Sequence, residues 1–121
     1  MNTQLMFAAA LVGLLAGLAD QPQNEAFHRD RLAPLYDAQA EVRLWDGTRV
    51  DLRTDTYAIE IDWPQKWAEA IGQSLYYAEV TGLEPGIILL VRDMDSDRRH
   101  VYRCQTVCAR AGIRLFVEIV E

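Results

Sequence analysis

The sequence predicts an α/β domain, a mixed sheet flanked by helices, and three observations predict it. Between residues 41 and 62 apolar and polar side chains alternate with a period of two, and turn residues interrupt the alternation twice. That is the pattern of three strands joined as a meander. After Pro64 the period changes to that of a helix, and a continuous apolar run, Gly86 to Val91, follows, as expected for a strand covered on both faces. A second helical stretch and a last apolar strand close the chain, and strand–helix–strand units require crossovers, so part of the sheet must be parallel.

Each element has a local reason. Residues 20–39 are polar with scattered Phe27, Leu32, Leu35 and Tyr36, and Pro34 predicts only a short helix and an irregular approach. Val42 and Leu44 alternate with Glu41 and Arg43; Asp46-Gly47 is a hairpin signal; Val50 and Leu52 alternate with Arg49 and Asp51 on the returning strand. Thr54-Asp55 makes a second turn. On the third strand, Tyr57 to Asp62, Ile59 and Ile61 share one face, and Ala58, Glu60 and Asp62 the other. Pro64 suits a helix start and Gly82 a stop, with Trp67, Ile71, Ser74, Leu75 and Ala78 as the packing stripe between them. Asp93 to Arg99 reads as a charged loop, with Arg98-Arg99-His100 a small solvated basic run. Val101, Cys104, Cys108 and Ala111 form the second helical stripe, ended by Gly112, and Ile113 to Val120 is the last strand.

The chain of 121 residues suffices for one modest domain, and its balance of eighteen acidic to twelve basic residues, net −6, argues against a large nucleic-acid footprint. A small enzyme can still keep one basic face, and clustered carboxylates themselves lower the net charge. The two cysteines are too few for a disulfide scaffold and make a poor zinc site. They read as small core residues, with a local disulfide as the alternative.

Residues 1–19 carry no charged side chain. Their apolar stretch of about 14 residues is short for a membrane span. It ends in Gly17-Leu18-Ala19 before Asp20, the pattern of a signal peptide cleaved after Ala19, although no Lys or Arg precedes it. The expected location is therefore outside the cytoplasm, in the periplasm, with no stable membrane span once the signal is removed. An uncleaved anchor and an ordinary buried helix are the alternatives.

Three acidic side chains have related addresses: Asp51 on the second strand, and Glu60 and Asp62 on one face of the third. Carboxylates that converge repel unless a cation neutralises them, and hard divalent cations prefer oxygen ligands. On the next helix Lys66, Ala70, Gln73 and Tyr77 recur along one narrow stripe, which suits polar groups reaching toward the carboxylates. The bland readings are a solvated strand face for Glu60 and Asp62 and ordinary helix surface for Lys66, Gln73 and Tyr77.

Asp51, then Glu60-Ile61-Asp62 on the following strand, then Gln73-x-x-x-Tyr77 on the following helix, resembles the PD-(D/E)XK nuclease superfamily, in particular its RecB-like branch with a QxxxY helix motif. The resemblance covers roughly residues 35–120. It implies a restriction-endonuclease-like αβββαβαβ core over residues 40–121, with a helix or linker over 20–39. It also implies Mg²⁺ or Mn²⁺ held by Asp51 and Glu60, with Asp62 as a third ligand and Glu41 as the acidic residue that some members place upstream. Gln73 and Tyr77 would position substrate, DNA or RNA. The family's Lys two residues after the Glu is here Asp62, and Lys66 is the ammonium that could replace it. The expected function is a metal-dependent phosphodiesterase, with catalysis on Asp51, Glu60, Asp62, Lys66, Gln73 and Tyr77. The alternative is a catalytically inactive exported domain of the same fold serving as a binding or structural module. A third class, an inhibitor whose acidic surface imitates nucleic acid, has no specific feature in its favour. Oligomeric state is left open.

Overall fold

A computed structural model describes residues 24–121, and the signal expected over residues 1–19 lies outside them. Helix α1 (Glu25–Leu32) and a 3₁₀ turn (Pro34–Tyr36) lead into β1 (Gln39–Arg43), β2 (Arg49–Arg53) and β3 (Tyr57–Asp62). A 3₁₀ turn (Pro64–Lys66) opens helix α2 (Trp67–Thr81), followed by β4 (Glu84–Val91), helix α3 (Met94–Ala111) and β5 (Arg114–Ile119). The five strands form one sheet in the order β1-β2-β3-β4-β5. The meander β1–β2–β3 is antiparallel, and β3, β4 and β5 run parallel through the two helical crossovers. The protein is therefore a mixed α/β fold with a five-stranded mixed sheet flanked by helices.

Local chemistry accounts for the boundaries. Asn24 caps α1 by accepting from the Phe27 N–H at 2.9 Å, and the chain turns away at Pro34. The Asp46-Gly47 hairpin closes with Leu44 N–H donating to the Thr48 carbonyl at 2.8 Å, and Gly47 supplies the positive φ of 87° that the turn requires. Helices α2 and α3 end on Gly82 and Gly112 in left-handed conformations.

The sheet separates two packed layers. On one face Leu52, Ile59, Ile61, Ile88, Leu90 and Val120 pack with Leu32 of α1. On the other, Ile87, Leu89 and Val91 pack with Ala70 of α2 and with Cys104 and Cys108 of α3. Strand β4 is buried on both faces, as its uninterrupted apolar run requires. Both cysteines are buried free thiols, their sulfurs 3.8 Å apart. Among the described residues no helix is long and apolar enough to cross a membrane.

Three expectations need correction. Residues Asp93 to Arg99 are not a loop: Asp93 caps α3 through the Asp95 N–H at 3.0 Å, and Asp95 and Asp97 in the first turn complement the helix dipole. The charges that resembled a loop are helix-start chemistry. The buried stripe of α3 accordingly begins with Asp97, which accepts from Gln65 Nε2 at 3.2 Å, and Ala111 is exposed. On α2, Leu75 is exposed, and the buried line is Ala70, Ser74 and Tyr77 with Trp67 and Ile71 half-buried. The helix is therefore rotated toward the stripe first assigned to polar groups.

Because Leu32 is fully buried among β2, β3 and β4 residues, α1 is part of the domain and not an approach to it. Leu32→Ala is expected to lower unfolding free energy by about 2–4 kcal/mol. Urea unfolding followed by circular dichroism checks this; an unchanged midpoint would show that α1 is dispensable.

Candidate active site at an irregular rung of the sheet

The ladder between β2 and β3 pairs Leu52 with Ile59 and Arg53 with Ala58. One further rung would set Asp51 opposite Glu60 on the same face. The backbone ladder stops there instead, and the Ile61 N–H donates to Asp51 Oδ2 at 2.8 Å. Strand β1 is irregular at the same level. It pairs Ala40 with Leu52 and Val42 with Val50, skipping the Glu41–Asp51 rung, and Glu41 sits at φ 53°. A non-glycine residue in this left-handed region costs about 1 kcal/mol or more and persists only where its surroundings hold it. Here two guanidiniums hold its carboxylate, Arg29 at 2.6 Å and Arg49 at 3.4 Å. The distortion also turns β2: Leu52 packs toward α1, whereas Val50 packs with Ala58 and Tyr77 on the α2 side, although a regular strand would put both on one face.

Glu60 is 5% exposed, and its Oε1 has no hydrogen-bond partner. Burial, then the charge of Asp51 and a hydrogen bond to it, push its pKa up to about 9. Burial raises Asp51 as well, opposed by the Ile61 N–H and by Glu60 as a donor. Burial and mutual repulsion therefore favour a proton on the pair, with Glu60 the more strongly raised of the two. Asp62 is also buried, at 6% exposure, and burial raises it to about 6; its Oδ1 accepts from the Trp63 N–H at 2.9 Å.

The other residues singled out from the sequence fall around this pair. Tyr77 is buried against Val50 and Ala58, close enough for the charges of Glu60 and Asp51 to raise its pKa beyond the effect of burial, and it shares a hydrogen bond with Thr48. Lys66 is exposed and lies near Asp62 and Glu25. Gln73 is half-buried on α2, one helical turn before Tyr77. Glu41 is engaged by its two arginines.

Sequence reasoning missed Glu25, Arg29 and Glu69. Burial, then the charge of Asp51, raises Glu25, which also hydrogen-bonds Asp62. Arg29 lies beside Asp51 and Glu41, and its charged form survives burial because Asp30, Glu41 and Asp51 surround it. A signal was available: Glu25, Arg29 and Leu32 share one helical face that also carries the buried His28. Six carboxyls, Glu25, Glu41, Asp51, Glu60, Asp62 and Glu69, thus gather near Lys66 and Arg29.

The carboxyls are not drawn together around a common point. Among the described residues no group of three or more His, Cys, Asp or Glu side chains is arranged to hold a metal ion. Two surface clefts, of about 250 and 310 Å³, lie elsewhere, and neither is lined by Asp51, Glu60 or Asp62. No family model, curated protein or solved structure matches the chain.

The folded Glu60 pKa exceeds its ordinary 4.5, so from about 4.5 to 9 the folded chain keeps a proton that the unfolded chain has released. Stability must then fall as pH rises through this window, with Asp62 adding to the fall up to about 6. Glu60→Gln is neutral throughout and is expected to flatten the profile and to exceed wild type at pH 8 by about 1 kcal/mol or more. Urea midpoints between pH 5 and 9 test this, and parallel profiles for the two proteins would refute the buried protonated carboxyl.

Proposed function

We propose that the domain is a metal-dependent phosphodiesterase acting on nucleic acid, on a restriction-endonuclease-like core. The observation that carries this reading is Glu60: a buried carboxyl with one unpartnered oxygen, beside Asp51, at a sheet rung distorted to admit both. Structural carboxylates normally have all their oxygens satisfied, so this one is spared for a ligand. The excess of carboxyls over cations around it selects a positive ligand, and all-oxygen donors suit Mg²⁺ or Mn²⁺. The element order, a leading helix, a three-stranded meander and two crossovers, supports the nuclease-like core.

Asp51 and Glu60 would hold the cation, with Asp62 and Glu25 at the border. When bound, such an ion activates a water and stabilises the charge developing on a phosphoryl group. The chain's own residues divide the remaining work. Burial raises Asp51, and the Ile61 N–H, Glu60 as a donor and Arg29 oppose that rise. Lys66 lies where an ammonium can face a phosphate approaching Asp62, taking the part of the lysine that this site lacks at position 62. Tyr77 walls the pair on the α2 side, and Gln73 precedes it toward the substrate. The acidic balance limits the footprint to a few phosphates of DNA or RNA. Location in the periplasm belongs to the same proposal and rests on residues 1–19 alone.

A second reading, an inactive nuclease-like module used for binding, is favoured by Asp62, which stands where the family's lysine would and whose Oδ1 already accepts from the Trp63 N–H.

Calorimetric titration of the protein with Mg²⁺ and Mn²⁺ separates the two. Binding is expected in wild type and is expected to vanish in Glu60→Ala. Because a proton must leave Glu60 first, apparent affinity should rise with pH up to about 9, by at most about tenfold per unit. Cleavage of single- and double-stranded DNA and RNA should follow the same variant. Absence of binding in wild type would overturn the enzyme reading and leave the module.

A further inference from the structure

We propose that the protein is a two-fold dimer joined by antiparallel pairing of β5 with β5 of a second copy, which makes one ten-stranded sheet. The inference is independent of the phosphodiesterase reading and uses the opposite edge of the sheet.

The two edges are treated differently. Proteins protect a bare edge with bulges, proline, lysine or inward charges. Strand β1 is short and exposed and carries the left-handed Glu41 at its centre, which spoils it as a template. Strand β5 has neither a bulge nor a proline or lysine, and its one inward-turned charge, Glu118, is satisfied by Tyr36. Residues 114–119 contain no proline, lysine or positive φ, and all six keep register with β4. On its α3 side Leu115 is half-buried against α3, but Val117 is 38% and Ile119 65% exposed.

The occupant is argued from β5 itself. The run Ile113-Arg-Leu-Phe-Val-Glu-Ile119 is self-complementary about Phe116. Antiparallel pairing centred there sets Arg114 opposite Glu118 of the other copy, twice. On the opposite face it sets Leu115 against Val117, twice. Opposite charges and apolar pairs directly across strands are the stabilising combinations.

The hydrogen-bonding groups agree with this register. The Val120 N–H donates to the Val91 carbonyl of β4 at 2.9 Å. By alternation, the amides of Arg114, Phe116 and Glu118 also face β4, and those of Leu115, Val117 and Ile119 face away. The proposed register pairs outward-facing residues with one another, Leu115 with Val117, so both exchange N–H and carbonyl bonds. A register shifted by one residue would match outward amides with inward ones and would place Arg114 against an apolar side chain.

Sedimentation velocity of the full chain across the micromolar range tests the proposal. Wild type is expected to be a dimer. Arg114→Glu and Glu118→Arg each put like charges opposite one another twice and are expected to weaken association at least about tenfold. Mixed in equal amounts, the two variants restore both opposite-charge pairs and are expected to form a heterodimer that neither forms alone. Glu118 also accepts from Tyr36 at 2.6 Å, so circular dichroism of each variant checks that it folds. Val117→Pro removes only an outward N–H, leaves the β4 ladder intact and is expected to be monomeric with wild-type helix content. A wild-type monomer overturns the proposal. So does a dimer that neither charge reversal weakens.

Discussion

The Ile61 N–H lies inside the sheet, where an unpaired donor costs about 1–3 kcal/mol. It faces β2, yet the β2 backbone does not answer it; the Asp51 side chain does. This substitution of a carboxylate for a backbone carbonyl organises much of what surrounds it. It ends the β2–β3 ladder one rung early and turns Val50 away from Leu52. It also leaves Glu60 beside Asp51 with nowhere to be solvated. Were Asp51 merely a solvated strand residue, Glu41 could take an ordinary β conformation and α1 would need no arginine at this level. As it is, Arg29 ties Glu41 and lies beside Asp51 together.

The electrostatics follow from that geometry. Two buried carboxyls in contact cannot both ionise without a compensating charge, and Glu60 keeps its proton to about pH 9. The nearest guanidinium is spent on Asp51 and Glu41, so it does not relieve Glu60. Asp62 and Glu25 repeat the situation on a smaller scale one step along the strand. Such a cluster lowers stability at neutral pH.

Much of the scaffold was legible in the sequence because its signals are periodic and local. The meander, the double-sided β4, the glycine stops and the opposed faces of β3 all follow from periods of two and 3.6 and from positive-φ positions. The start of α3 was not legible by that route, since capping aspartates and a charged loop have the same composition and only the buried Asp97 distinguishes them. At the site, the strand and helix positions Asp51, Glu60 and Tyr77 were found because alternation assigns their faces. Glu25 and Arg29 were not, because a helix separated in sequence by a 3₁₀ turn and a strand reaches the site only through tertiary packing. Nor could period-two reasoning foresee the kinked rung, since it assumes the regularity that Glu41 and Asp51 break.

The irregularity and the regularity of this sheet are distributed in a way that connects its two ends. Every backbone departure tied to the carboxylates is confined to β1, β2 and the start of their contact with β3. From there outward β3, β4 and β5 keep an unbroken parallel register over six rungs each. A parallel sheet buried on both sides tolerates no bulge without exposing unpaired amides to an apolar layer, so distortion has to be placed at the antiparallel margin, where one strand is already wet. The Asp51–Glu60 contact accordingly falls between β2 and β3, on the antiparallel side of the sheet. The same rule leaves β5 as straight as β4 makes it. An edge that inherits the register of a buried strand is the one best shaped to be paired again, and its charges, Arg114 and Glu118, are spaced for a copy of itself.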